Sequence, residues 1–173
     1  MKPIVLIFIG AALLVSGVGC GRKTSASKKE ITSLQRKEAA TLVAEAEFAM
    51  NVRDLARAEK LLTKVVELSP DIGDYWIGLG SVRKRLGDRD GAKRAYQSAL
   101  EGQEEAAKAD KKNTAALLEQ VRILALLGRV DDARKALEKA QKNFPEDSAI
   151  RTYIKERELD DMLADPTFKD IAL

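Results

Sequence analysis

Cys20 is the only cysteine in a chain that contains no histidine, and it stands in the stretch LLVSGVGCGRK. A thiol acts as a nucleophile or metal ligand when a neighbouring base or further ligands support it. Without imidazole there is no ready general base or triad member, and a lone cysteine cannot close an internal disulfide. The acid pairs Glu104/Glu105, Asp131/Asp132 and Asp160/Asp161 are the other groups that could do chemistry. Adjacent residues on a helix point in different directions, and no apolar surroundings are at hand to raise a carboxyl pKa, so these pairs read as solvated surface. No catalytic residue, metal ligand or cofactor is assigned, and the chain is expected not to be an enzyme. Its 30 basic and 27 acidic side chains are interleaved and sum to +3, which is not the footprint of a nucleic-acid binder.

Cys20 has a clearer use in what precedes it. Met1, Lys2 and Pro3 lead into an apolar run over residues 4–15, then small residues, which is the pattern of an export signal. The run is shorter than the roughly 20 apolar residues that span a bilayer comfortably. Gly17, Val18 and Gly19 directly before Cys20 resemble the lipobox of bacterial lipoprotein signals, although Gly17 stands where Leu, Val or Ile is usual. The resemblance implies that residues 1–19 are a signal peptide and that Cys20 becomes an acylated N-terminus. Acyl chains contribute about 0.8 kcal/mol per buried methylene, so several on one residue would hold a domain on a membrane. Residues 20–29 then form the lipidated N-terminus and a flexible linker, GRKTSASKK, whose basic side chains can rest on anionic headgroups. Gly21 occupies the place where an aspartate would, by the same resemblance, signal inner-membrane retention. The expected location is therefore the bacterial cell envelope, with the outer membrane favoured. An uncleaved signal anchor and a plain secretory signal are the alternatives, and both still place the remainder outside the cytoplasm.

The elements after the linker must explain the rest. With 33% charged and 5% aromatic residues, and with Ala, Leu, Lys and Glu dominant, the composition is that of an all-α protein. Apolar residues recur at helical spacings, and a longer period lies over them. Ala58 and Leu62 are followed after 34 residues by Ala92 and Tyr96, and after a further 41 by Ala133 and Leu137. Leu86 and Gly87 recur 41 residues on as Leu127 and Gly128, and Pro70 recurs at Pro145.

These features resemble tetratricopeptide repeats, in which each unit is a pair of antiparallel helices. The resemblance implies an α-solenoid over 30–147, with three helix-turn-helix units at about 39–72, 73–106 and 114–147. The middle unit carries Trp76, Leu79, Gly80, Ala92, Tyr96 and Ala99 at the motif's spacing, with Arg83 in place of the usual Tyr. The first keeps Leu42, Ala46, Ala49, Ala58, Leu62 and Pro70. The third keeps Leu117, Leu124, Ala133, Leu137, Ala140 and Pro145, but has Gln120 and Val121 where Leu and Gly are usual. Small residues such as Gly80 and Ala92 sit where helices approach closely, and Trp76, Leu79 and Tyr96 fill the space between pairs. Gly87 and Gly128 should end helices in the left-handed conformation, and Asp88 or Asp131 can cap the helix that follows.

Three further expectations concern lengths. The seven extra residues before the third unit, in EGQEEAAKADKKN, are almost two helical turns, so the preceding helix should run on through Gly102. Ile31 and Leu34 place the start of the first helix near residue 30. Residues 148–173 should cap the array: a helix to about 164, begun by Asp147 or Ser148, then a short turn of helix over 166–171. Its apolar residues, Ile150 to Ile171, would cover the last exposed face.

Function, by the resemblance, lies on the concave face lined by the first helix of each unit, where such arrays take a protein or peptide partner. The candidates there are Met50, Asn51, Ile77, Ser81, Lys84, Arg85, Arg122 and Leu126. Lys84, Arg85 and Arg122 would form a cationic patch able to meet a carboxylate or acidic segment. The expected function is a membrane-tethered scaffold for protein–protein interaction in the cell envelope. The alternative is a signal-anchored or secreted module that self-associates as a structural subunit.

Overall fold

The structure, a computed structural model, describes residues 31–173. The export signal, Cys20 and the basic linker lie outside the described residues. All regular structure in 31–173 is helical. Six helices form three consecutive antiparallel pairs: α1 (Ser33–Asn51) with α2 (Leu55–Leu68), α3 (Gly73–Arg85) with α4 (Arg89–Ala109), and α5 (Thr114–Leu126) with α6 (Val130–Asn143). Successive pairs touch through α2 on α3 and α4 on α5. Three short helices complete the chain: α7 (Ser148–Lys155), α8 (Glu158–Ala164) and α9 (Pro166–Ile171).

One turn joins the two helices of every pair. Asp54, Asp88 and Arg129 donate their backbone N–H to the carbonyls of Ala49, Arg83 and Leu124, six residues from bond to bond inclusive, while Arg53, Gly87 and Gly128 bond to Met50, Lys84 and Ala125. This double closure satisfies the carbonyls left over at a helix end and requires a left-handed residue. Gly87 at φ 87° and Gly128 at φ 70° supply it as the sequence implies, but the first turn uses Arg53 at φ 60°. The next helix then needs an N-cap. Asp54 accepts from the N–H of Arg57 and Asp88 from that of Gly91, at 3.1 and 2.8 Å. Asp131 does not do this in the third turn. The repeat register puts Arg129 at the cap, where it has no side-chain cap bond and instead donates to Asp132 at 2.8 Å. Asp131 and Asp132 occupy the first turn of α6, where carboxylates still complement the helix dipole.

The core follows the small-against-large pattern. Ala46, Ala49, Ala58 and Leu62 form one buried cluster with Leu79, Val82 and Ala95, whereas Ala92, Tyr96, Val121, Ile123 and Ala133 belong to a second. Trp76 packs against both, and its indole N–H donates to the Pro70 carbonyl at 2.8 Å. Gly80 lies against the Tyr96 ring so closely that a Cβ there would stand 2.4 Å from Cε1. Arg83, the departure from the repeat pattern, crosses between pairs: its Nε and Nη2 both donate to Glu59 Oε1 of α2, at 3.1 and 3.0 Å.

The helix α4 is 21 residues long and passes straight through Gly102, as the insertion's length implies. Two boundaries differ from expectation. The first helix begins at Ser33 rather than near residue 30, because Thr32 and Gln35 form a reciprocal capping box there. The single helix expected to run to about 164 is broken, since Arg157 adopts φ 56° and ψ 34° and separates α7 from α8. Turning there buries Leu159 to 3% exposure and lays Met162 and Leu163 against the second cluster, which a straight continuation of α7 would carry past it.

Candidate functional site

The first helices of the three pairs, α1, α3 and α5, carry all eight candidate binding residues, and the structure treats those residues very differently. Ile77 and Leu126 are core, at 7% and 1% exposure. Ser81 is half-buried; its hydroxyl donates to the Ile77 carbonyl at 2.8 Å and lies 3.3 Å from the Tyr96 hydroxyl. Met50 and Lys84 are half-buried, and Asn51 is exposed.

The three cations of the presumed patch are not equivalent. Arg85 Nε donates to Asp170 at 2.9 Å. Arg122 is engaged twice, by Glu119 beside it and by Asp74 at 3.2 Å. Lys84 alone of the three makes no ion pair among the described residues.

What meets these helices is the C-terminal segment. Helix α9 lies against α3 and helix α8 touches α5. The Tyr96 hydroxyl donates to the Ile171 carbonyl at 2.8 Å, and the Leu173 N–H donates to the Leu126 carbonyl at 2.9 Å. Phe168, Ile171 and Leu173 pack against the cluster that contains Ile77 and Leu126. The segment was expected to cover the last pair; it reaches back to the middle one. Burial holds the Tyr96 phenol above its ordinary pKa, with the Ser81 hydrogen bond and the Arg85 charge opposing. The shift has a structural cause and no catalytic partner.

Openings among the described residues include the following two. An open cavity of about 550 Å³ is lined by Met50, Asn51, Arg53, Leu55, Arg85 and Asp170, where the end of the first helix pair meets α9. A smaller one of about 220 Å³ lies between α6 and the α7–α8 turn, with Arg134, Leu137, Tyr153 and Leu159 in its wall. On α1 Leu34 and Phe48 are 73% and 60% exposed, and Val52, its C-cap, is 57% exposed, at an end of the array that no earlier pair covers among the described residues. Periodicity gave no sign of that, because the same residue types would be core in an internal repeat.

Stacked antiparallel helix pairs closed by shorter helices define an all-α solenoid. Comparison with known families makes this specific: residues 78–148 match the profile of the tetratricopeptide repeat. Over those residues the chain is similar to tetratricopeptide repeats. It is also similar to the type III secretion translocator chaperone SycD of Yersinia enterocolitica, at 19% identity and a TM-score of 0.47, over 75% of this chain and 90% of that one. No curated protein matches the chain.

Proposed function

We propose that this chain is a scaffold tethered to a membrane of the bacterial cell envelope through lipid on Cys20, holding another protein at the surface beside α1 and the end of α3. The observation that carries the reading is the coincidence of an interaction repeat with an open cavity on the first-helix side, lined by Met50, Asn51 and Arg53. Lys84, close by in sequence to the cavity's Arg85, is a cation with no ion pair among the described residues, and its charge suits an acidic stretch of partner. Concave-face binding therefore centres on Met50, Asn51 and Lys84. Ile77, Ser81, Arg85, Arg122 and Leu126 instead build and close the surface beside it. The small residues ending at Cys20 support the lipid tether, and the basic linker after it gives the domain reach.

Crosslinking in cells followed by mass spectrometry tests the reading. Met50→Asp combined with Lys84→Glu should remove one specific partner and leave the domain helical; an unchanged partner set overturns the surface assignment. Cys20→Ser should release the mature domain from membranes or leave its precursor unprocessed. Unchanged processing and unchanged membrane extraction would overturn the tether.

A further inference from the structure

The surface offered by α3, the end of α5 and the Tyr96 hydroxyl already has an occupant, and that occupant is a segment of this chain. Phe168 and Ile171, three residues apart on one face of α9, pack on the core cluster. Asp170 pairs with Arg85, and two backbone groups of the segment bond to the receptor, the Ile171 carbonyl to Tyr96 and the Leu173 N–H to Leu126. Apolar anchors at i and i+3, one charge pair and main-chain hydrogen bonds are the contacts by which a groove takes a short helix. We infer that this surface is a receptor for short amphipathic helices with an aromatic residue, an apolar residue three positions later and an acid between them, and that α9 fills it as a displaceable stand-in for such a helix on a partner. The inference rests on reading the chain as an interaction scaffold, and it adds the chemistry of what is bound.

Three observations support exchange over a fixed cap. A cap needs only to cover the last pair, yet α9 lies on α3 of the middle pair. The hold is light: α9 has six residues, none of them buried, and a helix so short has little stability of its own. Its one charge pair has side chains 35% and 60% exposed, so water screens it. The receptor beneath is, by contrast, built to stay. The Tyr96 ring is seated against Gly80 within the middle pair, and Ser81 keeps its hydroxyl within reach of the Tyr96 oxygen by bonding to the Ile77 carbonyl. A weakly held segment over a rigid surface opens locally, without unfolding what it covers.

The test uses the full chain and a fluorescein-labelled synthetic peptide of sequence DPTFKDIAL, followed by anisotropy. A seated tail lowers the apparent affinity for an outside helix by the fraction of time the surface is open. The chain with Phe168→Ala and Ile171→Ala should therefore bind the peptide at least about tenfold more tightly than wild type. Equal affinity, with the variant's circular dichroism still helical, overturns the inference. Hydrogen exchange on the wild-type chain gives a second readout that needs no substitution. The amides of Ala172 and Leu173, both hydrogen-bonded, should exchange about tenfold faster than those of Ile123 and Leu127 in the receptor. Equal rates would make the tail a fixed cap. A chain that keeps its crosslinked partner in cells yet fails both readouts loses this inference and not the scaffold reading.

Discussion

At the scale of single residues, each repeat sets a small residue of its first helix against a large one of its second. The positions of Gly80 and Tyr96 correspond, 34 residues earlier, to Ala46 and Leu62, and, 41 later, to Val121 and Leu137. Where the small partner is Ala46 rather than Gly80, the large one is Leu62 rather than Tyr96, as dense packing requires; Val121 keeps a leucine opposite, Leu137, which is only half-buried. Val121, the departure from the motif, is nonetheless fully buried. Each of these substitutions was visible in the sequence; the compensation became legible only once the facing residue was known. The tyrosines give a prediction at this scale. Tyr153 is pushed up to about 12, first by burial and then by the charges of Glu158 and Glu119. An unfolded phenol ionises near 10.0, before the folded one, so this contribution is fully present below 10.0 and is lost as pH climbs toward about 12. Urea denaturation at rising alkaline pH should show a Tyr153→Phe variant losing less stability over that window than wild type. Parallel losses in both would show that the phenol stays solvated.

At the scale of elements, the internal turns were readable because they are written in glycine and aspartate, and the failures came where other residues hold those places. Arg53 and Arg157 occupy left-handed backbone that costs an L-residue roughly 1 kcal/mol or more, and neither position carries a sequence sign of it. The break at Arg157 therefore has no counterpart in the sequence pattern, and Asp131, the acid nearest the glycine turn, lies past the cap position, which the register assigns to Arg129. Helix length, on the other hand, could be read from the insertion alone. Two glycines within helices now separate local preference from packing. Gly102 lies in α4 with nothing within 4 Å of a would-be Cβ, so Gly102→Ala should stabilise by about 0.5–1 kcal/mol through helix propensity. Gly80→Ala gains the same preference but drives a methyl into the buried Tyr96 ring, and overpacking of this kind costs about 1–3 kcal/mol. Thermal melts should therefore move in opposite directions, the first upward by a few degrees and the second downward. A stabilised Gly80→Ala variant would mean that the ring yields and the close approach is not rigid.

At the scale of the whole array, successive pairs meet through α2 on α3 and α4 on α5, so stability is approximately a sum of pair terms and interface terms. The return of the chain's end to α3 lay beyond reach of the sequence, because it depends on Arg85 meeting Asp170 across 85 residues and on the turn at Arg157 that aims it. The coupling between pairs one and two has a more local carrier. The two buried clusters are lined by different faces of α3 and α4, and Trp76 packs on both while its indole N–H ties it to Pro70 in the loop between α2 and α3. Truncating a packed tryptophan to alanine costs about 3 kcal/mol or more, and here the loss falls on an interface rather than on one pair. Trp76→Ala should then do more than lower the midpoint: α1 and α2 should lose amide protection while α5 and α6, closed by α7 to α9, keep most of theirs. Residue-resolved hydrogen exchange on the variant distinguishes the outcomes. Uniform loss from α1 to α6 would show that the pairs fold as one unit and that Trp76 fills space without linking them. Protection lost first at the α1 end would place the least stable pair beside the proposed partner surface, where binding can most readily order it.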